Sequence, residues 1–151
     1  NILLSDPYMV NQQVLVIRTA DADKYTSQED LAQADTIAFE GGSAADTILS
    51  EMDSLTDDQL LSMEKQADTF LEVKSGASDV AVVDIALAKE MTGKGDYTDL
   101  TYVDIGFASE DFAVGFRKED TQLCEQINEI LAKYKEDGTI EALAEKYGVS
   151  V

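Results

Sequence analysis

The sequence predicts an α/β fold in which a mainly parallel sheet is flanked by helices. Short apolar runs that are typical of buried strands alternate along the chain with stretches of helical periodicity. Glycine follows several of the helical stretches, as it commonly does at helix C-termini. Single helices between successive strands imply right-handed crossovers, which place parallel strands side by side and cover both faces of the sheet.

The elements follow one another in a regular order. A buried strand is predicted at 13–18 (QVLVIR), and Ser27 with Asp30 marks the start of a short helix that ends near Ala34. Strands and helices then alternate: strand 36–39, a helix from Ser43, strand 60–64, helix 67–74, strand 79–83, helix 85–91 and strand 100–103. A further strand at 112–117 (FAVGFR) precedes a long amphipathic helix, a stop at Gly138 and a final helix.

The composition excludes several classes of protein. The 151 residues carry 31 acidic and 11 basic side chains, a net charge of −20, so nucleic acid is not an expected partner. The absence of His removes Ser-His-Asp triads and His-ligated metal sites, and the single Cys124 is interpreted as a core residue. We therefore expect no enzymatic activity, no metal and no cofactor. The longest apolar runs fall short of the ~20 residues that span a bilayer.

Two strand ends carry the candidate binding residues. Ser43 follows Gly41 and Gly42 at a strand-to-helix turn, where free amides and the helix dipole favour an anion such as a carboxylate. Asp84 ends another strand directly before a helix. Ligands of open α/β sheets bind outside the carboxyl ends of the strands, so Ser43 and Asp84 can meet the opposite charges of one zwitterion. Glu40 either reaches a ligand side chain or is an exposed charge at its strand end.

Helix capping is the alternative interpretation of the same residues. Ser43 with Asp46 fits a capping box, and Asp84 fits the N-cap of the helix that begins at Ile85. If Asp84 caps that helix, the fold should tolerate Asp84→Asn, because Asn is an equally good cap.

Four segments of the chain share their order and spacing with one known family. They are SDPY at 5–8 with the QVLVIR strand, TIAFEGGSAAD at 36–46, GASDVAVVD at 76–84, and residues 112–147 with the KEDGT turn at 135–139. Together they resemble type II periplasmic (extracellular) solute-binding proteins of ABC transporters, in the family that binds polar amino acids. The resemblance implies two lobes joined by a two-strand hinge. Residues 1–18 and 106–151 would then form hinge strands and an incomplete lobe 1, and residues 19–105 would form lobe 2.

The same resemblance implies a function and a site. It implies capture of a free, polar amino acid in the cleft between the lobes and delivery of that amino acid to an ABC permease in the membrane. It also implies an extracytoplasmic location, either periplasmic or as a Gram-positive surface lipoprotein. The residue matching Asp84 takes the α-ammonium, and those matching Ser43 and Ala44, after Gly42, donate to the carboxylate. With lobe 1 incomplete, we expect this chain to bind weakly and to self-associate. The alternatives are a receptor's ligand-sensing domain, a same-fold dehydratase-like enzyme, and an interaction protein that has lost ligand binding.

Overall fold

The computed structural model describes residues 2–151. It divides into two units, which we call the central unit (residues 12–108) and the end unit (residues 1–11 and 109–151). Strand β2 (Met9–Arg18) contributes mostly to the central unit, where it pairs with two other strands. The identification of these units with the lobes of the family remains a prediction.

Strands and helices alternate through the middle of the chain. The strands are β1 Leu3–Leu4, β2 Met9–Arg18, β3 Ile37–Glu40, β4 Leu60–Met63, β5 Val80–Asp84, β6 Leu100–Val103, β7 Ser109–Phe112 and β8 Gly115–Phe116. The helices are α1 Ala44–Ser50, α2 Gln66–Ser75, α3 Ile85–Met91, α4 Thr121–Glu136 and α5 Thr139–Tyr147. Most elements lie within a few residues of their predicted positions, and the capping box of Ser27 and Asp30 is present.

The central unit is built on a mixed sheet with the strand order β4-β3-β5-β2-β6. Strand β3 is parallel to both β4 and β5, whereas β2 is antiparallel to both β5 and β6. The α/β class is confirmed, but the expectation of a mainly parallel sheet is wrong. The crossover rule applies to strands joined by a helix. Two 3₁₀ turns, Thr19–Lys24 and Gln28–Gln33, join β2 to β3, so the rule does not fix the direction of β2.

Helices cover both faces of this sheet. Successive strand residues point to opposite faces, so each strand contributes side chains to both apolar layers. On one face, α1 supplies the buried side chains of Ala45 and Leu49, which pack against Leu15, Ile17, Ile37, Phe39, Val80 and Val82. On the other face, α2 and α3 supply Phe70, Val73 and Ala88, which pack against Val14, Val16, Ala38, Ala81 and Val83. The two apolar layers hold the carboxyl ends of β3 and β5 in place.

Charged side chains tie β2 to the loops beside it. Arg18 donates to Asp21 Oδ2 at 2.8 Å and to the carbonyl oxygens of Val73 and Ser78 at 3.0 Å each. Lys24 Nζ lies 2.6 Å from Asp21 Oδ1. The hydrogen bond from Lys24, with that from Arg18, lowers the pKa of Asp21 although burial of the carboxylate opposes the shift. This network lies at the end of the sheet opposite the candidate site.

The end unit contains the remaining strands and two helices. Strand β1 pairs antiparallel with β8, β7 pairs with β2, and α4 packs on α5. The strand predicted at 112–117 is therefore two short strands. Its chain changes partners at Val114, whose amide donates to Ser5 Oγ at 2.9 Å while its carbonyl accepts from the Ser5 amide. Cys124 is buried, as the sequence predicted.

An apolar groove of about 290 Å³ opens on the end unit. It is lined by Tyr8, Met9, Ile140, Leu143, Ala144, Tyr147, Val149 and Val151. Leu143 and Tyr147 remain 47% and 65% exposed. This is apolar surface of the kind that favours association with another molecule.

Candidate ligand-binding site at the strand ends

The first part of the candidate site is the turn that joins β3 to α1. The Gly41 amide donates to the Met63 carbonyl at 2.9 Å, and a Cβ at position 41 would lie only 2.5 Å from Ser62 Oγ. Gly42 has φ +75°, in the left-handed region that glycine tolerates best. The two glycines therefore allow β3 to turn tightly into α1 against the neighbouring strand β4.

Ser43 caps α1, as one of the two interpretations of the sequence predicted. Its Oγ accepts from the Asp46 amide at 3.4 Å, and Asp46 Oδ2 accepts from the Gly42 amide at 2.7 Å. The Ser43 amide donates to the Glu40 carbonyl at 3.3 Å. The amides of residues 42 and 43 are thus engaged within the turn.

The next two amides of the chain have no acceptor in this turn. Within residues 2–151, the amides of Ala44 and Ala45 have no hydrogen-bond acceptor. They are among the first N–H groups of a helix, which have no partner inside the helix. Ala44 is half-buried and the side chain of Ala45 is buried, so the donors lie beside the core.

The second part of the site is Asp84, whose carboxylate is held by two glutamines. Gln13 Nε2 donates to Asp84 Oδ1 at 2.6 Å, and Gln66 Nε2 donates to Asp84 Oδ2 at 2.9 Å. Asp84 occupies the backbone position of an N-cap before α3, but its side chain makes no capping hydrogen bond. The capping interpretation of the Asp84 side chain is therefore wrong, and with it the reason for expecting Asn to replace it.

The contact with Gln66 also fixes which way the Gln66 amide points. The backbone N–H of Asp84 donates to Gln66 Oε1 at 3.1 Å. A backbone N–H can only donate, so the oxygen of the amide must face it and the NH₂ group must face the carboxylate. The assignment does not depend on the usual ambiguity between amide oxygen and nitrogen.

The sheet brings the turn and Asp84 to the same edge. Strands β3 and β5 are parallel neighbours with Ile37 opposite Val80 and Ala38 opposite Ala81. Continued by three residues, this register sets Gly41 level with Asp84, and neighbouring strands lie about 4.8 Å apart. Both strands end at this edge, which is the position expected for a ligand site in a sheet of this kind.

The other predicted residue, Glu40, takes a different place. It continues the face of Ala38, which packs against α2, whereas α1 and its N-terminus cover the opposite face. Glu40 is half-buried at its strand end. The structure therefore brings Ser43, Ala44 and Asp84 to one sheet edge, while Glu40 lies on the other face of the sheet.

Two further properties bear on the kind of site this is. Across residues 2–151, no group of three or more His, Cys, Asp or Glu side chains is arranged to hold a metal ion. Within the same range, no helix combines the length and apolar character that a membrane span requires.

The sequence matches a known family over almost its whole length. Residues 1–150 match the family of bacterial extracellular solute-binding proteins, family 3. The chain belongs to this family. Family 3 membership agrees with the resemblance inferred from the four sequence segments, and its proteins are extracellular by description.

Relatives in the family are amino-acid-binding proteins. The ABC transporter glutamine-binding protein GlnH of Bacillus subtilis (strain 168) is 26% identical over 143 residues, which are 95% of this chain and 50% of that protein. A probable histidine-binding protein of Neisseria gonorrhoeae is 23% identical over 95% of this chain and 53% of its own length. The chain thus spans about half the length of the curated relatives it matches.

Solved structures of the family share the fold. The amino acid ABC transporter substrate-binding protein AbpA of Streptococcus pneumoniae Canada MDR_19A, bound to L-arginine, has a TM-score of 0.84 at 27% identity and matches 97% of this chain and 60% of AbpA. An ancestral amino acid-binding protein, a precursor of cyclohexadienyl dehydratase, has a TM-score of 0.83 at 31% identity over 97% of this chain and 61% of its own. The arrangement is therefore that of a type II periplasmic binding protein, of which this chain represents a part.

Proposed function

We propose that this family 3 chain belongs to the amino-acid-binding component of an ABC importer and binds its ligand at the edge formed by the ends of β3 and β5. The observation that carries the proposal is the pairing of an oriented carboxylate, Asp84 at the end of β5, with the free amides of Ala44 and Ala45 at the start of α1, the helix that follows the neighbouring parallel strand β3. A free amino acid presents an ammonium and a carboxylate on one carbon. The two halves of the site complement these two charges.

The ligand we propose is a polar amino acid that is not acidic. The relatives GlnH, the histidine-binding protein and AbpA bind glutamine, histidine and arginine according to their names or structures. The chain has a net charge of −20, so its long-range field disfavours the approach of a ligand with a net negative charge. Aspartate and glutamate should therefore bind more weakly than glutamine, histidine or arginine.

Binding without catalysis is the activity we propose for this site. Both oxygens of Asp84 accept hydrogen bonds from neutral amides, an arrangement that holds the carboxylate as an acceptor. The alternative is a same-fold enzyme, because one structural relative is described as an amino acid-binding precursor of cyclohexadienyl dehydratase. Delivery to a membrane permease and a location outside the cytoplasm complete the proposed role.

The proposal is tested by titrating the chain with single amino acids while its backbone amides are followed by NMR. The expected result is that a polar amino acid shifts the amide resonances of Ala44, Ala45 and Asp84. The dissociation constant should lie near the millimolar range, which corresponds to a binding free energy of about −4 kcal/mol. Aspartate serves as the matched control ligand and should bind more weakly. A panel in which no amino acid moves these amides, or in which the responding residues lie away from this edge, refutes the proposal.

A further inference from the structure

The carboxylate of Asp84 is fixed by side chains from two other elements. Gln13 lies opposite Asp84 in the antiparallel register of β2 and β5, and it is 1% exposed. Gln66 is the first residue of α2 and is half-buried. Each glutamine donates to a different oxygen of the carboxylate. The orientation of this side chain is therefore set by the fold itself, before any ligand arrives.

Gln66 makes the more complete contact of the two. Its amide bonds both to the Asp84 carboxylate and to the Asp84 backbone N–H, at 2.9 Å and 3.1 Å. Two bonds between one planar amide and one residue restrict the torsions of both side chains. Since α2 is packed on the sheet through Phe70 and Val73, the position of Gln66 is itself supported by the core.

We propose that Gln66, together with Gln13, is a positioning residue that holds Asp84 ready to accept the α-ammonium of an amino acid. Both donors are neutral, so they orient the carboxylate without cancelling its charge. A group already held in its binding orientation loses less conformational freedom when the ligand binds. This inference rests on the proposed function.

The decisive measurement is whether loss of the Gln66 amide lowers binding affinity only for ligands that carry an ammonium group. Affinities of wild type and Gln66→Met are compared for L-glutamine and L-arginine, and for glutaramate and δ-guanidinovalerate, which lack the α-amino group of each. We expect Gln66→Met to weaken binding of the amino acids about three- to tenfold, as for loss of one hydrogen bond. Binding of the two analogues should change by less than about twofold, because they make no ammonium contact with Asp84.

Gln59 offers a matched control for this substitution. Its amide also bonds in two directions, accepting from the Thr56 amide at 3.0 Å and donating to the Ala34 carbonyl at 2.7 Å, but it has no contact with Asp84. Gln59→Met should leave the affinity ratio between amino acid and analogue at its wild-type value. An equal loss of affinity for both ligand types in Gln66→Met would show a general structural effect and overturn the inference.

A second variant covers the case in which Gln66→Met folds poorly. Gln66→Ala removes the NH₂ donor, adds no charge beside Asp84 and places a good helix former in the first turn of α2. It should show the same selective loss for the amino acids. In a double-mutant cycle, Gln66→Ala should add little further loss to Asp84→Asn, since the side chain that Gln66 positions has already changed.

The outcomes separate this inference from the proposed function. If Asp84→Asn binds the amino acids as tightly as wild type, the ammonium contact is absent and the proposed function of this edge fails. If Asp84→Asn binds weakly while both Gln66 variants bind normally, the function stands and the positioning role is wrong. If wild type binds none of the four probes, both the proposed function and the positioning role of Gln66 are refuted.

Discussion

Replacement of Asp84 by Asn should destabilise the central unit, and the structure gives the size of the effect. Asn keeps one acceptor and replaces the other oxygen with a donor NH₂. Gln66 cannot turn its amide to adapt, because its oxygen already accepts from the Asp84 N–H. The Asn oxygen must then face Gln66, so its NH₂ group faces Gln13, whose buried amide loses this acceptor for its own NH₂ group even if it turns over to present its oxygen.

That mismatch falls on a buried side chain. Gln13 is 1% exposed, so water cannot replace the lost acceptor. An unsatisfied buried donor costs about 1–3 kcal/mol, and we expect a decrease of that size in the free energy of unfolding. The same substitution should weaken amino-acid binding roughly ten- to a hundredfold, because a charge-assisted hydrogen bond of ~1.5–3 kcal/mol is lost.

Urea unfolding followed by circular dichroism measures the stability effect, and Asp104→Asn is the matched control. Asp104 accepts from the Gln12 NH₂ at 2.9 Å and from the Gly106 amide at 2.8 Å, both at Oδ1, and is exposed. Asn can preserve both bonds there, so that variant should change stability by less than about 0.5 kcal/mol. Equal stabilities for Asp84→Asn and wild type would contradict the predicted loss of a buried hydrogen bond at Gln13.

Individual contacts elsewhere in the chain support three other predictions. Ser43→Ala should cost about 0.5–1 kcal/mol in urea unfolding, at the low end for a cap because its hydrogen bond is 3.4 Å long, while ligand affinity changes less than about threefold. The hydrogen bond from Lys24 is the chief cause that holds the pKa of folded Asp21 below its ordinary value of 3.8. The ionised carboxylate therefore stabilises the folded state fully above pH 3.8, and this stabilisation is lost as the pH falls through the folded pKa. Acid titration should therefore reduce the unfolding free energy of wild type more than that of Asp21→Asn. Light scattering should show concentration-dependent self-association of the chain that a double variant, Leu143→Glu with Tyr147→Glu, suppresses; a monomer at all concentrations contradicts this.

Local sequence patterns were sufficient to predict most of the fold. The helix at 85–91 coincides with α3, and the strand at 100–103 coincides with β6, because each has a clear apolar pattern between turn residues. The direction of β2 and the break at Val114 were not predictable in this way. Both depend on which strands become neighbours, and that is decided by contacts between residues far apart in the chain, such as Ser5 with Val114.

The same contrast between local patterns and contacts far apart in the chain applies to the candidate site. The cap formed by Ser43 depends on residues within one helical turn, so its sequence signal was sufficient. The two glutamines lie 71 and 18 positions from Asp84, and sequence reasoning missed both. Gln13 carried a weak signal, a polar residue directly before four buried apolar residues of a central strand. Gln66 carried none, because a polar first residue of a helix is ordinary.

Ser43 and Asp84 look alike in sequence, since each is a polar residue between a strand and a helix, yet only one acts as a cap. Before α1 the chain makes a two-glycine turn, which frees Ser43 to fold its side chain over the helix start. Before α3 there is no turn: Asp84 is still the last residue of β5, paired in register with Gln13. Its side chain therefore bonds to the neighbouring strand and to α2, and it makes no capping hydrogen bond to the helix that follows. A carboxylate held in this way stays at the edge of the sheet, which is where the proposed function requires it to meet the ammonium of an amino acid.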